Sequence, residues 1–337
     1  MTSSIEDVAK LAGVSIATVS RSLRGLPDVA TATRDRVLAA AQELDYVASP
    51  FAARLASGRT ATVGVVVPFV HRWYFAEVLG AVESVLHHAG LDLLLYNLGD
   101  EEGRQRFFTR MPVRKRVDAI VIASLVLTDD EAGALCELGV PVGMLGVDQP
   151  GLHSTRIDDE QGARDAVGHL VELGHRRIAL IGGDASDPMR FTPPHHRRIG
   201  YLDALERAGI EYDPALEILG YFTVDGGEAA TRSLLELPTR PTALFAESDE
   251  MAYGAIRAIR RAGLRVPQDV AVIGFDDHAS AELLDLSTVR QPVIEQAEEL
   301  TTRLLAAITE PGQEPEVHVL PTELVVRGST DPARSVY

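Results

Sequence analysis

Apolar residues recur at one period in the first 60 residues of this chain and at another beyond them. In the first stretch Ile5, Val8, Ala9 and Ala12 stand at i, i+3, i+4 and i+7, one face of a helix. Ser4 can cap that helix, with Asp7 in its first turn. Gly13 supplies a turn, and Ser15 can cap a second helix, Ile16–Leu23. So tight a turn between two short helices predicts a helix-turn-helix. A third helix, about Ala32–Leu44, is expected to bury Val37, Leu38, Ala41 and Leu44.

Beyond residue 60, short apolar runs alternate with amphipathic ones. The pattern predicts strands at Thr62–Pro68, Leu91–Asn97, Asp118–Ser124 and Val142–Val147, with helices Tyr74–His88, Glu101–Arg110 and Asp129–Leu138 between them. A second series predicts helices Gln161–Leu173, Arg197–Ala208, Gly227–Leu237 and Glu250–Arg261. They alternate with strands Arg177–Gly182, Leu216–Tyr221, Thr242–Ala246 and Val270–Phe275. Near-continuous apolar strands of this kind are buried on both faces of parallel sheets. There are too many units for one open sheet, so two α/β lobes are expected. A late helix, Ile294–Ile308, and strands Val317–Leu320 and Leu324–Val326 would complete both lobes, crossing at Arg290–Pro292 and Pro321–Thr322. Two such lobes enclose a cleft at the carboxyl ends of their strands, the usual place for a small ligand.

Composition narrows the picture. Cys136, the sole cysteine, excludes a disulfide framework and a cysteine-based zinc cluster. The longest apolar runs, such as Val63–Pro68 and Ala119–Leu127, fall short of the ~18 residues of a membrane span, and the start does not read as a signal peptide. A cytoplasmic protein is expected. The net charge of −17 argues against nucleic acid only as an average. Residues 1–60 carry +1 and the remainder −18, so only the head can approach DNA. No phosphate loop, G-x-S-x-G elbow or metal-spaced cluster is present, so no enzyme, cofactor or metal is expected. His87-His88 and His195-His196 do not form a metal-spaced cluster, and Asp158-Asp-Glu160 reads as a helix cap.

The run Ile5-Glu-Asp-Val-Ala-Lys-Leu-Ala-Gly-Val-Ser-Ile-Ala-Thr-Val-Ser-Arg-Ser-Leu23 resembles the helix-turn-helix of LacI/GalR-type transcription regulators. The resemblance continues through Glu43-Leu-Asp-Tyr46, Leu55-Ala-Ser-Gly-Arg-Thr60, Leu173-Gly-His-Arg-Arg-Ile-Ala-Leu-Ile-Gly-Gly183, Ala262–Asp277 and Thr288-Val-Arg-Gln-Pro292. It implies an all-α helix-turn-helix head, a hinge helix, and a two-lobed body of type I periplasmic-binding-protein form. It also implies a homodimeric repressor that binds a palindromic DNA operator and a small effector, with no membrane partner. The corresponding boundaries are 1–47 for the head, 48–60 for the hinge and 61–337 for the effector-binding and dimerisation body. Within the body, one lobe takes about 61–158 and 292–321, the other 159–290 and 322–330.

The same resemblance assigns base reading to Ile16, Ala17 and Arg21. The first two offer apolar contacts, and Arg21 can take a guanine through two hydrogen bonds. The hydroxyls of Ser4, Ser15, Thr18 and Ser20 are phosphate candidates. Ser22 and Arg24 depart from the family, which has an apolar residue and Asn there; Arg24 can add a phosphate contact. In the hinge, Ser49, Pro50 and Gly58 supply helix caps, yet the segment is shorter than the ~12–15 residues a lone helix needs. Leu55 falls where the family wedges a leucine between base steps in the minor groove.

For the cleft, the family's effector loop corresponds to Trp73, Tyr74 and Phe75, and three adjacent aromatics favour a sugar. Core packing and ligand contact are both open for Phe75. Asp148, Arg197, Asp249 and Asp276 correspond to polar cleft positions, and Ser248 stands where Asn is common. The expected function is a sugar-responsive repressor of a carbohydrate-utilisation operon. The alternatives are a corepressor-dependent regulator of the same family and a solute-binding protein with no regulatory role.

Overall fold

The computed structural model describes residues 4–23, 28–46, 59–310 and 312–331. Its chain contacts separate into two units, Met1–Ala61 and Thr62–Tyr337. Arg24, Leu55 and the hinge segment 48–58 fall outside the described residues.

The head holds helices α1 (Ile5–Ala12), α2 (Ile16–Leu23) and α3 (Thr31–Glu43). Ser4 and Asp7 form a capping box at the start of α1, and Gly13, at φ +67°, turns the chain out of it in the left-handed conformation. Val8, Ala9, Ala12, Val19, Val37, Ala40 and Ala41 make the core. One expectation is corrected here. Leu38 is 47% exposed and Ala40 is buried instead. The buried face of α3 runs Val37, Ala40, Ala41 and partly buried Leu44, at i, i+3, i+4 and i+7, and Leu38 stands about 100° off it.

The body begins with β1 (Thr62–Val67), α4 (Trp73–His88), β2 (Asp92–Asn97), α5 (Glu101–Arg110), β3 (Ala119–Ala123), α6 (Asp129–Cys136), β4 (Val142–Leu145) and β5 (His153–Ile157). It continues with α7 (Asp159–Glu172), β6 (Ile178–Gly182), α8 (Pro193–Arg207), β7 (Glu217–Leu219), α9 (Val224–Leu235), β8 (Ala243–Ala246), α10 (Asp249–Arg261), β9 (Ala271–Ile273), α11 (Ala279–Leu283) and β10 (Thr288–Arg290). It closes with α12 (Val293–Thr309), β11 (Val317–Leu320) and β12 (Glu323–Val325).

Two parallel sheets result, ordered β11-β5-β4-β3-β1-β2 and β7-β6-β8-β9, with β10 and β12 as an antiparallel pair. Alternation along the strands divides each lobe's core in two. Val63, Val65 and Val67 face α4 and α12, while Val66, Ile120 and Ile122 face α5 and α6. In the second lobe Ile178 and Leu180 face α7 and α8, and Ala179 and Ile181 face α9 and α10. Gly200 lets α8 lie against α7, because a methyl there would collide with the Glu160 carbonyl.

The hydrophobic pattern missed β5, β10 and the short α11. Strand β5 reads His-Ser-Thr-Arg-Ile, yet Ser154 and Thr155 are fully buried. The Ser154 hydroxyl donates to the Leu152 carbonyl and the Thr155 hydroxyl to Glu299 Oε2, while Arg303 Nη2 donates to the Ser154 carbonyl at 2.9 Å and to Thr155 Oγ1 at 2.6 Å. Hydrogen bonding replaces apolar burial in that strand. Among the described residues, no helix is long and apolar enough to cross a membrane.

Candidate functional site

Helix α2 is fixed by Val19, which is fully buried, and by Ser22, which is 2% exposed. That orientation leaves Ser15, Ile16, Ala17 and Arg21 exposed, with Thr18 and Ser20 half-buried. An α-helix presenting apolar and guanidinium groups from its first two turns can enter a major groove and read base edges. The hydroxyls of Ser4, Ser15 and Thr18 are already engaged locally. Ser4 Oγ accepts from Asp7 N at 3.2 Å and donates to its carboxylate at 2.8 Å. Ser15 Oγ accepts from Thr18 N at 3.2 Å and lies 2.9 Å from Thr18 Oγ1. The Ser4 amide, donating to Asp7 Oδ2 at 2.9 Å, and after it the Ser4 hydroxyl hold the Asp7 carboxyl below its ordinary range. Arg21 Nε lies 3.7 Å from Asp28 Oδ2, a loose pair in which both side chains are 55% exposed.

In the body, one cleft of about 720 Å³, counted to its open mouth, lies at the carboxyl ends of the strands of both sheets. Trp73, Tyr74, Phe75, Arg197, Ser248 and Asp276, all expected from the sequence, line it together. They come from the loops and helix starts after β1, β6, β8 and β9. Two expected residues do not line it. Asp148 is exposed and accepts from Arg156 Nε at 2.7 Å. Asp249 lies behind the wall, fully buried, accepting from Thr288 Oγ1 at 2.6 Å and from the His278 amide at 2.8 Å.

The floor is a buried arginine among carboxylates. Arg197, 4% exposed, donates from Nε to Asp159 Oδ1 at 2.8 Å and from Nη1 to the Glu247 carbonyl. The same Nη1 lies 3.6 Å from Asp276 Oδ1, and the guanidinium stacks 3.6 Å from the centre of the Phe275 ring. Burial alone would lower the Arg197 pKa, but Asp159 and Asp276 overcome it and raise it. Burial pushes the Asp276 carboxyl up to about 7 and that of Glu247 up to about 8, each against the pull of Arg197. Asp249 is raised by burial and by the charge of Asp276. Glu247 is held by the Gly183 amide, which donates to Oε2 at 2.7 Å.

Asp276 sits at φ +125° and Asp277 at φ +57°. The first conformation is rare for any residue but glycine, and such strain persists where the surroundings enforce it. Here Asp277 is gripped by Arg290 Nε and Arg327 Nη2, each at 2.7 Å, and Gln291 Nε2 donates to Asp276 Oδ1 at 2.6 Å.

Aromatic rings form the walls. Trp73 lies 5.0 Å from the His278 ring, across from its own lobe. Phe75 is both core, at 4% exposure, and cleft lining. Phe191 and Phe222 complete the wall. Phe191 belongs to the long loop between β6 and α8. Met189 of that loop is buried in the first lobe's core, and its carbonyl accepts from Arg104 Nη1 at 2.9 Å. Arg104 is in turn held by both oxygens of Glu131, at 3.0 and 2.7 Å.

Sequence reasoning missed Asp159, Glu247, Gln291, Gln296, Phe191, Phe222 and Ser124. For Asp159 a signal existed. Starting α7 two residues earlier, directly after the capping Asp158, places Asp159 in the first turn facing α8.

Residues 4–49 match the family described as bacterial regulatory proteins, lacI family, and residues 167–330 match a periplasmic binding protein-like domain. The chain is 34% identical over 330 residues to the HTH-type transcriptional repressor CytR of Escherichia coli (strain K12), covering 97% of this chain and 96% of that protein. It is 38% identical over 337 residues to the HTH-type transcriptional regulator CelR of Thermobifida fusca, covering 96% and 97%. Among solved structures, a complex of the transcriptional regulator CelR with cellobiose aligns at a TM-score of 0.72 with 36% identity, over 97% of this chain and 99% of that one. A lac repressor dimer bound to operator and the anti-inducer ONPF aligns at 0.86 with 30% identity, over 98% and 99%. With this likeness running through head and body alike, the chain belongs to the lacI family of bacterial regulatory proteins.

Proposed function

We propose that this protein is a homodimeric, sequence-specific DNA-binding repressor of carbohydrate-utilisation genes, released from a palindromic operator when a sugar enters the cleft. In this reading residues 1–47 contact DNA, 48–60 connect, and 61–337 bind effector and dimerise. Ile16, Ala17 and Arg21 read bases, and the cleft lined by Trp73, Arg197, Ser248 and Asp276 takes the sugar.

The observation that carries the ligand class is the make-up of the cleft. Aromatic faces at Trp73, Phe191 and Phe222 suit the apolar faces of sugar rings. Carboxylate, amide and hydroxyl groups of Asp276, Gln291 and Ser248 suit their hydroxyls. The cellobiose complex of the related regulator CelR supports the same class.

The test is fluorescence anisotropy on labelled palindromic DNA, with and without a panel of mono- and disaccharides. Release by a sugar is the expected result. Tighter binding with a sugar would instead make the ligand a corepressor, and indifference to every sugar would remove carbohydrate as the effector class.

A further inference from the structure

We propose that Gln296 is a specificity residue of the cleft, reading a ligand hydroxyl at the end bounded by the six-stranded sheet. The proposal rests on the cleft being an effector site, as argued above. Gln296 lies in the first turns of α12, lines the cavity and is 1% exposed. Its Nε2 meets no hydrogen-bond partner among the described residues. A buried amide nitrogen left unpaired is destabilising, and such groups are rare in folded proteins.

Nothing in the packing of α12 asks for a polar residue there. Around it Val293, Ala297, Leu300 and Leu304 pack α12 into the apolar core, while the polar contacts of this helix to β5, from Glu299 and Arg303, lie about a turn or more further along. An apolar side chain of the same length would fill the position without the penalty. The amide is therefore kept for something that enters the cavity.

Its surroundings fit. Tyr74 and Ser124 line the same end, and a methyl at Gly146 would come within 2.8 Å of Ser124 Oγ and 3.0 Å of Tyr74 Oη. Glycine thus keeps that corner open. The opposite lobe contributes Arg197, Ser248 and Asp276. A ligand bridging the lobes meets polar groups at both ends and aromatic rings between. A side-chain amide presents a donor or an acceptor according to its orientation. A hydroxyl answers either, whereas a carbonyl or an ammonium answers one.

Gln296→Met tests this, because Met keeps chain length and helix propensity and removes the amide. Two measurements on the full-length protein decide it. The melting temperature of the ligand-free variant should rise by about 2 °C or more as the unpaired group is removed. Calorimetric titration with whichever of cellobiose, glucose or ribose most raises the wild-type melting temperature should show at least tenfold weaker binding to the variant. A lower melting temperature would make the amide structural and overturn the proposal, as would unchanged sugar affinity. If none of the three sugars shifts the wild type, the sugar reading of the cleft falls for these probes. The ligand-free melting temperatures then decide Gln296 alone: a rise supports an amide kept for a ligand, and a fall overturns it.

Discussion

The head and the cleft each present one arginine, and the two are held in opposite ways. Arg21 is half exposed, with an aspartate 3.7 Å away. Arg197 is buried, hydrogen-bonded to Asp159, close to Asp276 and stacked on Phe275. An exposed pair of that length contributes little to stability, so Arg21 can be handed to a new partner at small cost. A buried charge cannot, because its partners would be left in a low-dielectric interior without it. The head thus carries an available contact, whereas Arg197 first of all holds the floor of the cleft together and orients the carboxylates that face the cavity.

The sharpest way to break this contrast is to remove Arg197. Arg197→Ala leaves Asp159 and Asp276 without their counter-charge and is expected to destabilise the body by about 3–5 kcal/mol. Urea unfolding followed by tryptophan fluorescence reports it, since Trp73 is the chain's sole tryptophan and lines the cleft. A loss of ligand response with unchanged stability would make Arg197 a ligand contact only.

The carboxylates offer a second test. Burial raises Glu247 to about 8. Below about pH 4.5 the group is protonated in folded and unfolded chains alike. As pH rises toward 8 the unfolded chain releases the proton first, so stability falls through that window. Glu247→Gln removes this slope. The variant should match the wild type near pH 4.5 and exceed it by about 2 kcal/mol or more at pH 8, at roughly 1.4 kcal/mol for each pH unit crossed. Parallel stability curves from pH 5 to 8 would show that Glu247 does not titrate abnormally.

The same contrast explains what could be read from the sequence. The head is built from local relations. Ser4 with Asp7 and Ser15 with Thr18 lie within a few residues of one another, so spacing alone placed the three helices, while the reading face of α2 came from the family resemblance. Leu38 was misjudged because hydrophobicity was followed where the helical period pointed to Ala40. The cleft is assembled across the chain. Asp159 meets Arg197 from 38 residues away, and Gly183 meets Glu247 from 64. Nothing in either segment alone marks the pair. Asp148 and Asp249 resemble Asp276 in type and position along their strands, yet Arg156 engages one and Thr288 the other. Only the three-dimensional arrangement distinguishes a carboxylate that faces the cavity from one that is tied behind it.

On the head, Arg21→Ala should weaken operator binding by about 1–3 kcal/mol and relax preference at one base pair in each half-site. The fold should not suffer, because the Asp28 pair is exposed. Anisotropy on operator variants checks the preference, and circular dichroism the fold. A loss spread evenly over all operator variants would reduce Arg21 to a phosphate contact.

The smallest effect concerns the residue beside it. Ser22 is 2% exposed, and its Oγ has no hydrogen-bond partner among the described residues. It stands one turn after Val19, on the face of α2 that meets the apolar core of Val8, Ala12 and Val37. A hydroxyl there gives up its hydrogen bonds to water and gains none in return. Ser22→Ala removes that loss and adds a better helix former, with almost no change in volume. The head should gain about 1 kcal/mol, while discrimination among operators stays the same, since the side chain points away from the exposed face. Amide exchange of the core helices measures the first and anisotropy the second. Slower exchange with unaltered discrimination would separate the buried face of α2 from its reading face. Faster exchange would mean that the Ser22 hydroxyl is hydrogen-bonded in the folded head and contributes to its stability.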